Sequence, residues 1–224
     1  MAKVSIIIGF YNKIDLLEKI LEALRLQTMT DFEVVIADDG SSDQVVARIH
    51  ELQQLTPFTL RHVWHEDNGW RKNTILNKAV MAAESEYLLF IDGDCIPEPH
   101  FVEEHYSERQ KKQVLSGRRI LMGPCATNYL QSQSLSRSRF RSGLFFALLN
   151  DTLHGYKTRM EHMIHVRCKG LRKLFVRDRE RFILGCNFSL YKEDLLSVNG
   201  FDERFLYPGY GEDIDLDIVS AEQV

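Results

Sequence analysis

The chain has 224 residues, of which 44% are hydrophobic and 27% charged, and its formal net charge is −4. This composition is typical of one globular domain with a substantial core, and it excludes a disordered or fibrous chain. The longest unbroken apolar run in the middle of the chain, Leu144 to Leu149, is far shorter than the roughly 20 residues of a membrane-spanning helix, so no transmembrane helix is expected.

The N-terminal stretch and the cysteines indicate where the protein works. "MAKVSIIIGFYN" has one lysine, a short apolar run and no small-residue cleavage site, which favours a first β-strand over a signal peptide. The four cysteines are scattered without a C-x-x-C pair, which favours reduced thiols over a zinc site or a disulfide framework. We therefore expect a cytoplasmic protein. The cysteines are Cys95, Cys125, Cys168 and Cys186.

The first hundred residues alternate between strand and helix patterns. β-Branched or apolar runs predict strands at Lys3–Gly9, Glu33–Asp38, Thr59–Trp64 and Tyr87–Ile91. Helical spacing predicts helices at Ile14–Gln27, Asp43–Leu55 and Trp70–Glu84. Strands separated by helices of this length imply right-handed crossovers and an α/β fold, with a mostly parallel central sheet and helices on both faces.

Three polar clusters follow predicted strands. Gly9-Phe10-Tyr11-Asn12 ends the first strand, Asp38-Asp39-Gly40-Ser41 ends the second, and Asp92-Gly93-Asp94 ends the fourth. Ligands of such sheets bind outside the carboxyl ends of the strands, where strand order reverses, so we expect the clusters to meet there. Neither a P-loop nor a G-x-G-x-x-G motif follows the first strand, which counts against an ATPase or a dinucleotide oxidoreductase.

The Asp92-Gly93-Asp94 turn is a candidate metal site. Two carboxylates two residues apart can hold a hard divalent cation through oxygen while its open positions take phosphate oxygens. A D-x-D turn alone is common and can be merely solvated, but its place after the apolar run "YLLFI" favours the metal site. The cation would offset charge on a leaving diphosphate.

A second acidic cluster lies near the end of the chain. Gly209 and Gly211 give a pliable loop before Glu212 and Asp213. The two acids would open a last helix, whose dipole stabilises carboxylate charge, and one of them could act as a general base. Ordinary acidic capping of a helix remains the alternative from the residues alone.

The sequence resembles the family 2 inverting glycosyltransferases of the GT-A fold. "VSIIIGFYNKIDLLEKILEALRLQT", "DFEVVIADDGSSD", "YLLFIDGDCIPEPHF" and "GYGEDIDL" occur in the order and at the spacing of that family. "NGWRKNTILNKAV" and "GCNFSLYKEDLLSVNGFDE" are similar to the branch with chondroitin-type polymerases and galactosyl- and N-acetylgalactosaminyl-transferases. The likeness covers residues 3–112 and 182–217, and about 126 to 180 has no match.

This resemblance implies a role for each matching residue. Tyr11 and Asp39 would contact the uracil and ribose of a UDP-sugar, while Asp94 and Asp92 would hold Mn²⁺ or Mg²⁺. Asp213 is similar to the base that deprotonates the acceptor hydroxyl, with Glu212 beside it. The expected nucleotide-sugar-binding residues are Gly9, Tyr11, Asn12, Asp38, Asp39, Lys72, Asp92 and Gly93. The expected acceptor-binding residues are Asn187, Tyr210 and Gly211.

The resemblance also predicts the domain organisation. Residues 1–224 would form a single GT-A domain, in which residues 1–112 bind the nucleotide and residues 113–224 bind the acceptor, with a basic helical insertion at about 126–180. Gly9 stands where the family usually has Pro or Thr, and Tyr210 replaces a common Trp. The family often places a metal-binding His after the "GED" motif, and this chain has none there, so the sequence is either truncated or holds the metal with fewer ligands.

Positive charge is concentrated between Arg137 and Arg181, with twelve basic residues against four acids. Arginines alternate with apolar residues there, as in an amphipathic surface helix. This segment could contact an anionic membrane or a lipid-linked acceptor, or could be a solvated helical insertion over the acceptor site. Nucleic-acid binding is not expected, because the whole chain is acidic and no recognition motif accompanies the arginines.

The predicted activity is metal-dependent, inverting transfer of a sugar from a UDP-sugar to a hydroxyl of a saccharide or lipid-linked acceptor. Two other classes stay open. A sugar nucleotidyltransferase would normally have a glycine-rich basic loop after the first strand, which "GFYNKID" is not. A non-catalytic nucleotide-sugar or glycan-binding module would have no need of a base at Asp213.

Overall fold

The structure, a computed structural model, describes residues 2–163 and 185–205. Within these ranges, six strands form one sheet in the order β3-β2-β1-β4-β6-β5. The strands are β1 (Val4–Phe10), β2 (Phe32–Asp38), β3 (Leu60–Trp64), β4 (Tyr87–Asp92), β5 (Leu115–Ser116) and β6 (Asn187–Tyr191). The first four strands are mutually parallel, while β6 runs antiparallel to β4 and β5 runs antiparallel to β6. The predicted mostly parallel sheet is confirmed.

Helices connect the strands and cover both faces of the sheet. The α-helices in the described ranges are α1 (Ile14–Leu24), α2 (Asp43–Leu55), α3 (Lys72–Ala82), α4 (Phe101–Ser107), α5 (Pro124–Ser132), α6 (Arg137–Leu153) and α7 (Lys192–Ser197). Alternate residues of β1 point to opposite faces, as the two-residue period of a strand requires. Ile6 and Ile8 pack with α1 and α2 in one core, whereas Ile7 packs with α3 and α7 in the other.

The ends of two helices differ from the prediction for identifiable reasons. Helix α1 ends at Leu24, because the Leu26 and Gln27 N–H groups bond to carbonyls three residues back and Gln27 turns its side chain inward. The Gln27 amide donates to the Glu98 carbonyl at 2.8 Å and accepts from the Val102 N–H at 3.0 Å. Helix α3 begins only at Lys72, because the Arg71 N–H donates to Asp39 at 2.9 Å. Tertiary contacts therefore set both boundaries.

The topology reverses beside β1. The chain moves outward from β1 to β2 and β3 and then returns to place β4 on the other side of β1. Gly9 of β1 lies in register with Asp92 of β4, so the carboxyl ends of the two strands are adjacent. This is the switch point at which open α/β sheets bind ligands.

The described residues divide into two compact units. One comprises residues 2–117 with 185–205 and contains the sheet, and the other comprises residues 118–163. In the second unit, the buried Asp151 carboxylate of α6 accepts the Cys125 and Ala126 N–H groups, each at 2.9 Å. A side chain from one helix thereby caps the first turn of α5. In the part of the chain that the structure describes, no helix is long and apolar enough to cross a membrane.

Candidate functional site

A cleft opens at the carboxyl ends of β1, β2 and β4. Its volume is about 410 Å³, within the range of small-molecule sites. Four acidic side chains and two lysines line it, so its fixed charge is negative: Asp39, Asp67, Asp92, Asp94, Lys13 and Lys72. An anionic ligand such as a nucleoside diphosphate would need a cation to enter with it. The rest of the wall consists of Gly9, Phe10, Tyr11, Ala37, Gly69, Trp70, Ile75 and Gly93.

The turn after β4 forms the floor of the cleft. Asp92 is the last strand residue, and its Oδ1 lies 3.0 Å from the Lys72 Nζ at the start of α3. Asp94 is exposed on the same turn. A Cβ built on Gly93 would lie 2.7 Å from the Gly9 carbonyl oxygen, so only glycine lets this turn lie so close to β1. The two carboxylates predicted to bind metal therefore face one cleft together with the lysine.

Asp38 and Asp39, adjacent at the end of β2, have different surroundings. Asp38 is fully buried; it accepts from the Ser41 N–H at 2.9 Å and contacts the His62 ring at 2.8 Å. It lies outside the cleft lining and shapes the turn. Asp39 lines the cleft, with Oδ1 2.7 Å from the His65 ring nitrogen and Oδ2 accepting from the Arg71 N–H.

The loop after β1 carries Tyr11 and Asn12. Tyr11 is half exposed in the cleft, and its hydroxyl donates to Asp67 at 2.9 Å. This hydrogen bond and the charge of Asp67 raise the pKa of Tyr11 above its ordinary value. Asn12 has a positive φ of 54° and accepts from the Ser42 N–H at 3.0 Å. Asn12 thus joins two loops behind the cleft and is absent from its lining.

Sequence reasoning missed the segment from His65 to Trp70, which forms one wall. Asp67 contacts Tyr11, His65 holds Asp39, and Trp70 lines the cleft. Gly40, with a φ of +95°, packs so closely on Asp67 that a Cβ there would lie 2.6 Å from the Asp67 Cα. The sequence does contain an indication of this wall, because the polar run "HEDNGW" follows β3 at the same edge of the sheet.

Asn187, a predicted acceptor-binding residue, belongs to a buried polar chain beside the cleft. Its Oδ1 lies 3.0 Å from the His105 Nε2, and the His105 Nδ1 lies 2.6 Å from the Ser189 hydroxyl. Ser189 also contacts the Tyr87 hydroxyl at 2.6 Å. Asn187 is absent from the cleft lining, and the other predicted acceptor and catalytic residues, Tyr210, Gly211, Glu212 and Asp213, lie outside the described residues.

Two thiols lie behind the Asp92–Asp94 turn. Cys95 follows Asp94 directly, and its side chain hydrogen-bonds to the buried Cys186. That hydrogen bond, with burial and the charges of the nearby aspartates, raises the pKa of Cys95. A thiol with a raised pKa is a poor nucleophile, so chemistry at this site is not expected to use Cys95.

The donor set at the cleft suits a hard divalent cation. Asp92 and Asp94 supply carboxylate oxygens, which Mn²⁺ and Mg²⁺ accept, and a bound diphosphate would supply more oxygen ligands. Across residues 2–163 and 185–205, no group of three or more His, Cys, Asp or Glu side chains could hold a metal ion. Asp92 and Asp94 would therefore supply only some of the ligands of such a cation, and a bound diphosphate would supply others.

Comparison with known proteins identifies the family. A sequence profile of glycosyl transferase family 2 matches residues 5–192. The chain belongs to glycosyl transferase family 2. Chondroitin synthase of Escherichia coli is 26% identical over 216 residues, which are 93% of this chain and 31% of that protein. Hyaluronan synthase of Pasteurella multocida is 25% identical over 94% of this chain and 22% of that protein.

Solved structures show the same fold. TarS of S. aureus, residues 1–349 in complex with UDP, has a TM-score of 0.58 and 17% identity, over 97% of this chain and 54% of that chain. Mannosyltransferase PcManGT of Pyrobaculum calidifontis, in complex with GDP-Man and Mn²⁺, has a TM-score of 0.57 and 17% identity, over 94% of this chain and 49% of that chain. The predicted GT-A fold, and a glycosyltransferase domain near the chondroitin-type polymerases, are confirmed. The chain spans about a third or less of these synthases and half of these structures.

Proposed function

We propose that this glycosyltransferase domain transfers a sugar, with inversion and with a divalent metal, from a UDP-sugar to a hydroxyl of a saccharide or lipid-linked acceptor. The observation that carries the proposal is the meeting of Asp92, Asp94 and Lys72 with Tyr11 and Asp39 in one cleft at the switch point. Family 2 membership and the UDP complex of TarS support the choice of donor.

The nucleotide would lie between two walls of the cleft. Tyr11 offers an aromatic face to the uracil, and Asp39 offers a carboxylate to the uracil N–H. Gly9 leaves room beside the diphosphate, since a Cβ there would lie 3.5 Å from the Lys72 Cε. Lys72 would donate to a phosphate oxygen. Gly93 keeps the turn close to β1. Asp38 and Asn12 would affect nucleotide binding indirectly, through the loops that they hold in place.

The metal would be held by Asp92 and Asp94. Bound Mn²⁺ or Mg²⁺ would offset the negative charge of the departing UDP. The complex of PcManGT with GDP-Man and Mn²⁺ supports this use of a cation. The acidic lining of the cleft supports it independently, because a diphosphate beside four carboxylates would be repelled without one.

Asp213 is proposed as the general base and Glu212 as its neighbour at the acceptor. Asp213 would take the proton of the acceptor hydroxyl while that oxygen attacks the anomeric carbon and UDP leaves from the opposite side. The configuration at that carbon then inverts. Tyr210, Gly211 and Asn187 are the proposed acceptor contacts, and His105 would hold the Asn187 amide in place.

The decisive experiment measures products. A transferase releases UDP from a UDP-sugar when acceptor is added, a nucleotidyltransferase releases pyrophosphate from UTP, and a binding module releases neither. We expect Asp213→Asn to lower UDP release at least about 10³-fold without changing UDP affinity. Asp215→Asn, in the same segment, is the matched control. Pyrophosphate release, or equal turnover in Asp213→Asn, would contradict the proposal.

The expected cytoplasmic setting is part of the same proposal. It rests on the thiols: among the described residues, Cys95, Cys125 and Cys186 form no disulfide. Reduced thiols are typical of a reducing compartment.

A further inference from the structure

The outer face of α6 is apolar. Phe146 is 68% exposed and Leu153 is 77% exposed, and the less exposed Phe145 and Leu149 lie beside them. Residues 146, 149 and 153 fall on one side of a helix, because their spacing of three and four residues matches the helical period. We name these four residues the α6 apolar face.

The opposite side of the same helix is apolar as well. Phe140, Leu144 and Leu148 are buried there, at 4%, 6% and 0% exposure. The inner side therefore supplies the fully buried contacts of this helix, while Phe146 and Leu153 on the outer side stay mostly exposed. A cluster of large apolar side chains left at the surface of a domain marks an interaction site.

The exposed charge that the structure describes in residues 118–163 has one sign. Residues 118–163 contain seven Arg or Lys and two acids. One acid, Asp151, is buried as the cap of α5. Among the charged side chains of this unit that the structure describes, every exposed one is basic. They are Arg118, Arg119, Arg137, Lys157 and Arg159.

We propose that the α6 apolar face docks on a lipid bilayer that contains anionic headgroups. Phenylalanine and leucine side chains would enter the boundary between headgroups and acyl chains, by about 5–10 Å. The basic residues would meet the lipid phosphates, each adding to the attraction at low salt. Tyr156, which is 49% exposed just after α6, has the amphipathic ring that favours this boundary. The proposal is independent of the nucleotide site.

Sedimentation with vesicles tests this docking. The full chain is mixed with vesicles of phosphatidylcholine alone and with vesicles that also contain phosphatidylglycerol. We expect binding to the anionic vesicles that falls at high salt. The double substitution Phe146→Ser and Leu153→Ser should weaken it at least about tenfold, as should Lys157→Glu with Arg159→Glu.

A matched control is available in the other unit. Met81 and Leu55 are 68% and 61% exposed, so Met81→Ser with Leu55→Ser removes equal apolar exposure elsewhere and should leave vesicle binding unchanged. Circular dichroism and UDP affinity, compared with the wild type, show whether each variant is folded. UDP binding also separates this proposal from the nucleotide proposal, because either can fail alone.

Three results would overturn the docking proposal. One is a wild-type chain that binds neither kind of vesicle. Another is equal binding by the wild type and the Phe146→Ser, Leu153→Ser variant. The third is self-association of the wild type that this variant abolishes, measured by sedimentation velocity without vesicle binding, which would assign the face to a second copy of the chain.

Discussion

Two glycines at the floor of the cleft differ in what a methyl group would meet. A Cβ on Gly93 would lie 2.7 Å from the Gly9 carbonyl oxygen, whereas a Cβ on Gly9 has no atom nearer than 3.5 Å. We expect Gly93→Ala to displace the Asp92–Asp94 turn and to weaken UDP binding with Mn²⁺ at least about tenfold. Calorimetric titration measures this, with Glu86→Ala, at an exposed position just before β4, as the control. Equal affinities in the two variants would contradict the assigned role of the turn.

Lys72 is the lysine nearest to the proposed metal ligands, 3.0 Å from Asp92. We expect Lys72→Gln to weaken UDP binding about tenfold at low salt, because a charge-assisted hydrogen bond to phosphate is lost. Lys3→Gln, at the other end of β1, should bind UDP like the wild type. An unchanged affinity for Lys72→Gln would place the diphosphate away from α3.

At the residue scale, the sequence predicted the cleft residues that directly follow strands. It did not predict the cleft residues that lie in the loop forming one wall. Tyr11, Asp39, Asp92 and Asp94 follow apolar strands and do share the cleft. Asp38 looks equivalent to Asp39 in sequence, but alternation along β2 points its side chain away from the cleft and into a buried hydrogen-bond network. Asp67 was missed because its role depends on contacts with Tyr11 and Gly40, which are distant in sequence.

At the element scale, Glu33 links neighbouring strands through hydrogen bonds at the edge of the sheet away from the cleft. It is 2% exposed and accepts from Ser5 at 2.5 Å, from the Glu84 N–H at 2.7 Å and from Arg61 at 2.9 Å. Burial alone would raise the pKa of Glu33, but these hydrogen bonds lower it below its ordinary value. Its stabilising contribution is therefore present at neutral pH and is lost as the pH falls through the lowered pKa.

We expect Glu33→Gln to lower the free energy of unfolding at pH 7 by roughly 3 kcal/mol, since buried donors lose a charged partner. The difference from the wild type should shrink as the pH falls below about 4. Urea unfolding over a pH series measures both effects. Glu51→Gln, which alters an exposed ion pair with Arg48, should change stability by less than about 1 kcal/mol. A pH-independent loss in Glu33→Gln would contradict the assignment.

The capping of α5 by Asp151 leads to a second prediction at the element scale, which concerns stability. Asp151→Ala should leave two buried N–H groups at the start of α5 without partners, which costs roughly 2–4 kcal/mol of stability. The neighbouring exposed Asn150→Ala is the control. Limited proteolysis should cut residues 118–163 faster in Asp151→Ala than in Asn150→Ala. Equal rates would show that the cap does not hold this unit together.

Periodicity predicted the elements that alternate in the first hundred residues, because the strands carry mostly apolar runs and each helix has one apolar side. It missed α4 and β5, which are short, and it could not place β6 next to β4 because that pairing joins residues about a hundred positions apart. The helix predicted in the arginine-rich segment is present as α6. That its outer face is also apolar follows from burial, which the sequence pattern does not reveal.

At the scale of the whole molecule, the described charge differs between the two units. The acidic cleft belongs to the sheet-containing unit, and the exposed charge described in residues 118–163 is basic. The single domain with a basic insertion at about 126–180 stays a prediction, and the second compact unit begins at Arg118. Composition predicted the contrast in charge between the two parts of the chain. The boundary between the two units depends on tertiary contacts, which the sequence pattern does not reveal.

The central claim is that the cleft binds a uridine diphosphate group through a metal on Asp92 and Asp94. The most direct measurement is calorimetric titration of UDP into the full chain with and without Mn²⁺, repeated on Asp94→Ala. The control is Glu86→Ala, an exposed carboxylate just before the other end of β4. We predict binding that requires Mn²⁺, that Asp94→Ala abolishes and that Glu86→Ala retains. Absence of UDP binding with and without Mn²⁺, or equal binding by Asp94→Ala, would contradict the claim.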